Sequence, residues 1–169
     1  MDIEIAKADL SRLGDCASIL EGSELGRRYF CDARGRYIGG ELLREGFEKG
    51  EVSVALDGDG SCLGFAWIQP RGIFHWFPFL HVVAVRADLR GRGIGGKLMD
   101  LFERAAFVEE RSPMAFLMVA DFNAEAIALY GKRGYERVGA VPGLFLPGVE
   151  EILMMKRAPV PGGAAGAPA

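Results

Sequence analysis

The chain has 169 residues, 50% of them apolar and 25% charged, which suits one packed core and argues against a disordered chain or a two-domain enzyme at roughly 150 residues per domain. Its 20 Lys and Arg against 23 Asp and Glu leave a formal net charge of -3, so there is no global positive excess to grip a nucleic-acid backbone. The longest uncharged stretch, Gly72 to Val85, has 14 residues, short of the roughly 20 that span a bilayer, and the acidic start Met1-Asp2-Ile3-Glu4-Ile5 does not read as a secretory signal, so a cytoplasmic protein that binds neither nucleic acid nor membrane is expected.

Ile3 and Ile5 alternate with Glu4 and predict a strand, after which Leu10, Leu13, Cys16, Ala17 and Leu20 follow a helical period. A second helix is predicted from about Gly40 to Lys49, with Leu42, Leu43 and Phe47 on one face and Gly50 as its stop. Val52, Val54 and Leu56, the turn Asp57-Gly58-Asp59-Gly60 and the apolar run from Leu63 to Ile68 spell a β-hairpin. Leu80 to Val85 is a solid apolar run that predicts a central strand buried on both faces. Ile94, Leu98, Leu101, Phe102 and Ala105 then make an amphipathic helix, ended by Ser112-Pro113. Ala115 to Ala120 reads as another buried strand, Asn123 caps a helix running to Arg133, and Gly134 suits a left-handed helix end. Strands near Arg137 to Val141 and Glu151 to Met155 close a domain of residues 1–158. The remaining residues, 159–169, are Gly, Ala and Pro with a single Val and predict a disordered tail. Cys16, Cys31 and Cys62 are odd in number and widely spaced, which suggests reduced thiols, with neither a disulfide framework nor a metal site.

The chemistry concentrates in Arg86-Ala87-Asp88-Leu89-Arg90-Gly91-Arg92-Gly93-Ile94-Gly95-Gly96-Lys97, between a buried strand and a helix start. Unpaired N–H groups and the positive end of the helix dipole favour an anion there, glycines let a phosphate reach the main chain, and four cations face a single Asp. Gly91-x-Gly93-x-x-Gly96 matches a dinucleotide fingerprint, but Arg86 to Arg90 separates it from its strand and half the chain precedes it. Gly91-x-x-x-x-Gly96-Lys97 matches most of a nucleotide P-loop, yet Leu98 stands where a magnesium-binding Ser or Thr is required.

The third match is Arg90-x-x-Gly93-x-Gly95, and His81 through Gly95 resembles the fourth strand and signature turn of the GNAT superfamily of acyl-CoA-dependent N-acyltransferases. Asn123-x-x-Ala126-Ile127-x-Leu129-Tyr130-x-Lys132-x-Gly134-Tyr135 resembles that family's second motif, about 30 residues further on. The resemblance covers the chain except the tail and implies a mixed α/β fold with a mostly antiparallel central sheet, splayed fourth and fifth strands and flanking helices. It implies acetyl-CoA as cosubstrate, an amine acceptor and direct transfer without metal or covalent enzyme intermediate, and it leaves room for a homodimer. Val83, Ala84 and Val85 would offer main-chain groups to the acetyl and pantetheine portion. Arg90, Gly91, Arg92, Gly93, Ile94, Gly95 and Gly96 would hold the pyrophosphate, and Asn123, Ala126 and Tyr130 would flank the CoA arm. Tyr130 matches the family's proton-donating or sulfur-contacting tyrosine. His81 stands where many members carry a Glu, and it reads either as a base or as a histidine packed between sheet and loop.

Two further segments bear on the acceptor. Ile73-Phe74-His75-Trp76-Phe77-Pro78-Phe79 is dense in aromatics and lies where the family often lines the acceptor cleft, although core packing explains it equally well. Arg27, Arg28 and Tyr29 either reach the acceptor or form a solvated face. The stretch from Val138 to Glu151 mildly resembles members that acetylate protein N-termini. The reading of a different class is a CoA-binding or CoA-sensing module without turnover.

Overall fold

The computed structural model describes residues 2–159, so the tail expected over 159–169 lies, beyond Pro159, outside the described residues. Its sheet is built from β1 (Glu4–Lys7), β2 (Val52–Leu56), β3 (Cys62–Ile73), β4 (Phe77–Val85), β5 (Met114–Ala120), β6 (Glu136–Pro142) and β7 (Glu150–Arg157). The strand order is β1-β2-β3-β4-β5-β7-β6, antiparallel throughout except for the parallel pair β4–β5. The helices are α1 (Leu13–Glu21), α2 (Glu24–Tyr29), α3 (Gly39–Glu48), α4 (Ile94–Arg104) and α5 (Ala124–Lys132). This is the mixed, mostly antiparallel α/β architecture that the sequence implied.

Two apolar cores hold the helices to the sheet. The buried face of α4, Ile94, Leu98, Met99 and Phe102, packs with Leu63, Leu80, Leu117 and Met154. Cys16, Leu20, Leu43 and Phe47 of α1 and α3 pack with Val54, Phe65, Trp67 and Val82. Each such Leu or Phe stabilises the fold by about 1.5–3 kcal/mol relative to exposure. Cys16 and Cys62 are buried free thiols and Cys31 is half-buried and free.

Three elements differ from the sequence reading. The six residues of α2 carry only Leu25 and Tyr29 at helical spacing, too short a stripe for periodicity to show it. Its signals are the cap, where the Ser23 hydroxyl accepts from Gly26 N at 2.9 Å, and Gly26 itself, where a Cβ would lie 1.9 Å from Leu20 O. The apolar run of β4 is not buried on both faces. Pro78, Leu80, Val82 and Ala84 are buried, Phe79, Val83 and Val85 are half-buried, and His81 is exposed. The cause is a β-bulge: Ile68 pairs with Leu80 and Trp67 with Val82, leaving His81 without a partner on β3. The bulge turns the strand over, since Leu80 joins the α4 core while Val82 and Ala84 join the other. On its opposite edge β4 pairs with β5 at Phe79↔Phe116 and Leu80↔Leu117 and nowhere beyond. From His81 onward the two strands diverge.

The β3–β4 hairpin also reaches further than the sequence suggested, turning at Phe74-His75 with Trp76 N bonded to Ile73 O at 3.1 Å. Both turn residues are left-handed, with φ of 55° and 54°, as in the primed hairpin turns that Asn-Gly normally occupies. A non-glycine residue in that conformation costs roughly 1–2 kcal/mol. Replacing Phe74-His75 by Asn-Gly is therefore expected to stabilise the protein by about 1–2 kcal/mol, raising the melting temperature by roughly 2–4 °C per kcal/mol at this size. Calorimetry on the double variant checks this, and an unchanged or lower melting temperature would show that the turn is not strained.

Candidate functional site

The carboxyl ends of the diverging strands open onto two cavities that share a wall. The larger, about 690 Å³, runs between the β4–α4 turn and the start of α5. The smaller, about 370 Å³, lies on the other side of β4, against α2, α3 and β7. Leu25, Val83, Phe122, Asn123 and Tyr130 line both.

The turn after β4 has its own internal order. Arg86 N bonds Leu63 O at 2.9 Å, and the Arg86 guanidinium clasps Asp88 through two 2.8 Å contacts. These two charges neutralise each other, while Arg90, Arg92 and Lys97 enter no ion pair among the described residues. Gly91 and Gly93 have φ of 74° and 82°, a region that L side chains rarely occupy. At Gly91, Gly93 and Gly96 a Cβ would meet nothing within 4 Å. The first α4 hydrogen bond is Lys97 N to Gly93 O, so the preceding amides are free of intrahelical partners. Ala84, Val85, Arg90, Gly91, Gly93, Ile94, Gly95 and Gly96 all line the groove. Arg92 does not, because its side chain stands in solvent beside the turn.

The facing wall belongs to α5. Asn123 caps it by accepting from Ala126 N at 3.3 Å, and both residues line the groove. A half-buried ion network fixes α5 to α4 and β7: Arg133 reaches Glu103 at 2.8 Å and Asp100 at 2.5 Å, and Lys156 reaches Glu103 at 2.8 Å.

Tyr130 is 6% exposed and packs edge-on to Tyr135 with ring centroids 6.1 Å apart. Burial pushes its phenol up to about 12, so it keeps its proton at neutral pH. His81 stands on the bulge with its ring 4.2 Å from that of Trp67, whose Nε1 donates to Glu51 at 2.8 Å. Although His81 reaches solvent through the open cavity, crowding by protein atoms lowers its pKa, and the charges of Glu45 and Glu51 oppose that shift. The result is a neutral imidazole at pH 7 that can accept a proton.

The smaller cavity is more aromatic than the sequence indicated, and it draws on different residues. Of the aromatic run only Phe79 lines it; Phe74 and Trp76 are 76% and 74% exposed at the hairpin tip, and Phe77 packs on Phe116 at 5.4 Å. Tyr29 lines the cavity, whereas Arg27 and Arg28 line neither space. Phe122, Phe145 and Glu151 also line it and were not singled out from sequence. A carboxylate at the head of the apolar run Ile152 to Met155 was the available signal for Glu151.

A mixed α/β sheet opened beyond one parallel pair, with a glycine cradle on one side of the opening and a buried tyrosine lining both cavities, agrees with the fold that the sequence resemblance implied. The chain belongs to the acetyltransferase (GNAT) family, whose sequence pattern matches residues 28–135. It is 34% identical over 99 residues to an uncharacterized protein of Mycobacterium leprae, covering 56% of this chain and 26% of that protein, so it spans about a quarter of that relative's length. Among solved structures it resembles Ard1 of Thermoplasma volcanium (19% identity, TM-score 0.79, covering 95% of this chain and 100% of that one). A GNAT-family acetyltransferase of Bacillus cereus (18%, 0.74, 95% and 100%) and yncA of Salmonella typhimurium, solved with its cofactor acetyl-CoA (17%, 0.74, 100% and 99%), share the fold as well.

The lowered His81 pKa sets a pH dependence of stability. An unfolded imidazole takes up a proton near pH 6.5, while the folded one resists it, so folding stability falls as pH drops from about 6.5 to the folded pKa. Urea unfolding at pH 7.5 and pH 5.5 is expected to show a smaller acid loss in His81→Gln than in wild type. Equal losses would place the imidazole in an environment no drier than the unfolded chain.

Proposed function

We propose that the protein is an acetyl-CoA-dependent N-acetyltransferase that moves an acetyl group directly onto a primary amine. The observation that carries this reading is the meeting of the two cavities at Val83, Asn123 and Tyr130, which puts a phosphate-type cradle and an aromatic pocket on opposite sides of one opening.

The residues present suit the cosubstrate. Free α4 amides, the glycines at 91, 93, 95 and 96, and Arg90 would hold the pyrophosphate, with Arg92 and Lys97 adding long-range attraction only. β4 has lost β5 as a pairing partner beyond Leu80, so main-chain groups of Val83 to Val85 on that edge are available to pantetheine amides in the manner of an added strand. When bound, acetyl-CoA supplies the activated thioester carbonyl. The acceptor must lose a proton: a lysine-like amine of pKa about 10.4 is neutral in only about one molecule in 2500 at pH 7, a deficit near 4.6 kcal/mol, against about 1.4 for an α-amine of pKa about 8. Neutral His81 takes that proton, and the Tyr130 phenol donates a hydrogen bond to the departing sulfur. The acceptor would be a small molecule or a peptide, and the location cytoplasmic.

Titration with acetyl-CoA followed by acetyl transfer to a panel of amines tests the reading; binding without transfer to any amine would leave a CoA-binding module instead. Gly93→Asp places a carboxylate in the cradle and should weaken CoA binding more than tenfold, over about 1.4 kcal/mol. Unchanged CoA affinity in the folded variant would remove the cradle from the site.

Tyr130→Phe keeps the ring and removes the donor, so turnover is expected to fall by about 10² to 10³ with CoA affinity nearly unchanged. His81→Gln should abolish the acid limb of the kcat/KM profile, which wild type shows below pH 6.5. A fully active Tyr130→Phe enzyme, or an unaltered acid limb in His81→Gln, rejects the corresponding role.

A further inference from the structure

Glu151 is 4% exposed and lines the smaller cavity. Its only hydrogen-bond donor among the described side chains is the neutral Tyr29 hydroxyl, in a short contact. Burial and this carboxylate both hold the Tyr29 pKa above its ordinary value, so the phenol remains a donor. No Lys, Arg or His among the described residues forms a salt bridge with Glu151, although its neighbour Glu150 pairs with Arg137 at 2.6 Å. The nearby Arg28 is already engaged, 2.6 Å from Glu24 and 4.2 Å above the Phe122 ring. Buried carboxylates are ordinarily paired with a cation, because desolvation penalises an isolated charge. Here the described residues supply no cationic partner.

The cavity around it has the surfaces that a cation with an apolar body needs. Tyr29 lies between Phe122 and Phe145, with ring centroids 6.3 Å and 6.1 Å away at interplanar angles of 38° and 73°. Aromatic faces attract an ammonium through their quadrupole and an alkyl or aryl group through burial. At about 370 Å³, the space sits near the lower end of the roughly 300–1,000 Å³ typical of small-molecule sites.

We infer that Glu151, framed by Tyr29, Phe122 and Phe145, selects the acceptor: a compact amine that arrives as a cation on an apolar or aromatic body. This rests on the acetyltransferase reading for its biological meaning, but the binding claim stands on the cavity itself. Glu151 binds and discriminates, while proton removal stays with His81.

The test compares 2-phenylethylamine, a cation at pH 7, with its neutral isostere 2-phenylethanol, by calorimetry on the full chain. Wild type is expected to bind the amine at least tenfold more tightly. Glu151→Gln should bring the two within about threefold of each other, whereas Tyr29→Phe, which leaves the carboxylate, should keep most of the preference. Equal affinities in wild type, no binding of either probe, or an undiminished preference in Glu151→Gln overturns the inference. The wild-type comparison decides it even if Glu151→Gln does not fold. Acetyl-CoA affinity and acetyl transfer, measured on the same wild-type protein, report separately on the acetyltransferase reading. Transfer without cation preference sinks only the role of Glu151, and cation preference without acetyl-CoA binding sinks only the reaction.

Discussion

The site depends on two residues of parallel pairing. β4 and β5 are joined at Phe79↔Phe116 and Leu80↔Leu117 and then part, which leaves an opening at the carboxyl ends of the strands, where open α/β sheets commonly bind ligands. The bulge at His81 sits at the residue where the pairing ends. It takes one residue out of register, so that Leu80 packs under α4 while Val82 and Ala84 pack under α1 and α3. A regular strand would send the whole alternate set to one core and leave no reason for β4 to lean away from β5. One inserted residue therefore accounts for the divergence of the cores, the exposure of His81 and the placement of both cavities.

Around this opening the protein places rigid supports on each side. α5 could swing only by breaking the Arg133, Glu103, Asp100 and Lys156 network that ties it to α4 and β7. A single exposed ion pair contributes little, but this one joins three elements and its central members are largely buried. On the other side, Gly46 of α3 lies so close to Trp67 that a Cβ would fall 2.6 Å from the ring. Trp67 in turn bonds Glu51 and abuts His81. The imidazole is thus positioned from behind by a glycine two elements away.

The glycine turn was legible because its requirements are local: left-handed Gly91 and Gly93, a following helix start and a run of cations are all written within a dozen residues. Asn123 and Gly134 were legible for the same reason, as cap and helix end. The smaller cavity was legible only in part: Tyr29 and Phe79 are singled out from sequence, but Phe122, Phe145 and Glu151 lie apart from them along the chain, and no periodicity links the set. The aromatic run before β4 misled in part because hydrophobicity alone does not tell a pocket wall from a hairpin tip, and Phe74 and Trp76 went to the tip. The bulge was invisible as well, since an apolar run such as Leu80 to Val85 carries no mark of register.

The proton inventory distributes the roles of His81 and Tyr130. A phenol held near 12 is a poor acid toward a thiolate whose conjugate thiol has pKa about 8.5, and full transfer would be uphill by roughly 5 kcal/mol. In the proposed reaction Tyr130 would therefore serve chiefly as a hydrogen-bond donor that stabilises charge on sulfur as it develops. The protonated form of His81, with a pKa below the ordinary 6.5, is a stronger acid than the thiol. Having taken the amine proton in the proposed reaction, it would give that proton to the thiolate or to water downhill. The same crowding that makes the histidine a weak base toward a free ammonium would make it an effective carrier, suited to removing the proton once the nitrogen has begun to bond to the carbonyl, when that nitrogen is far more acidic. Tyrosine for charge and histidine for the proton is the division that a buried phenol and a crowded but solvent-reaching imidazole favour in the proposed reaction.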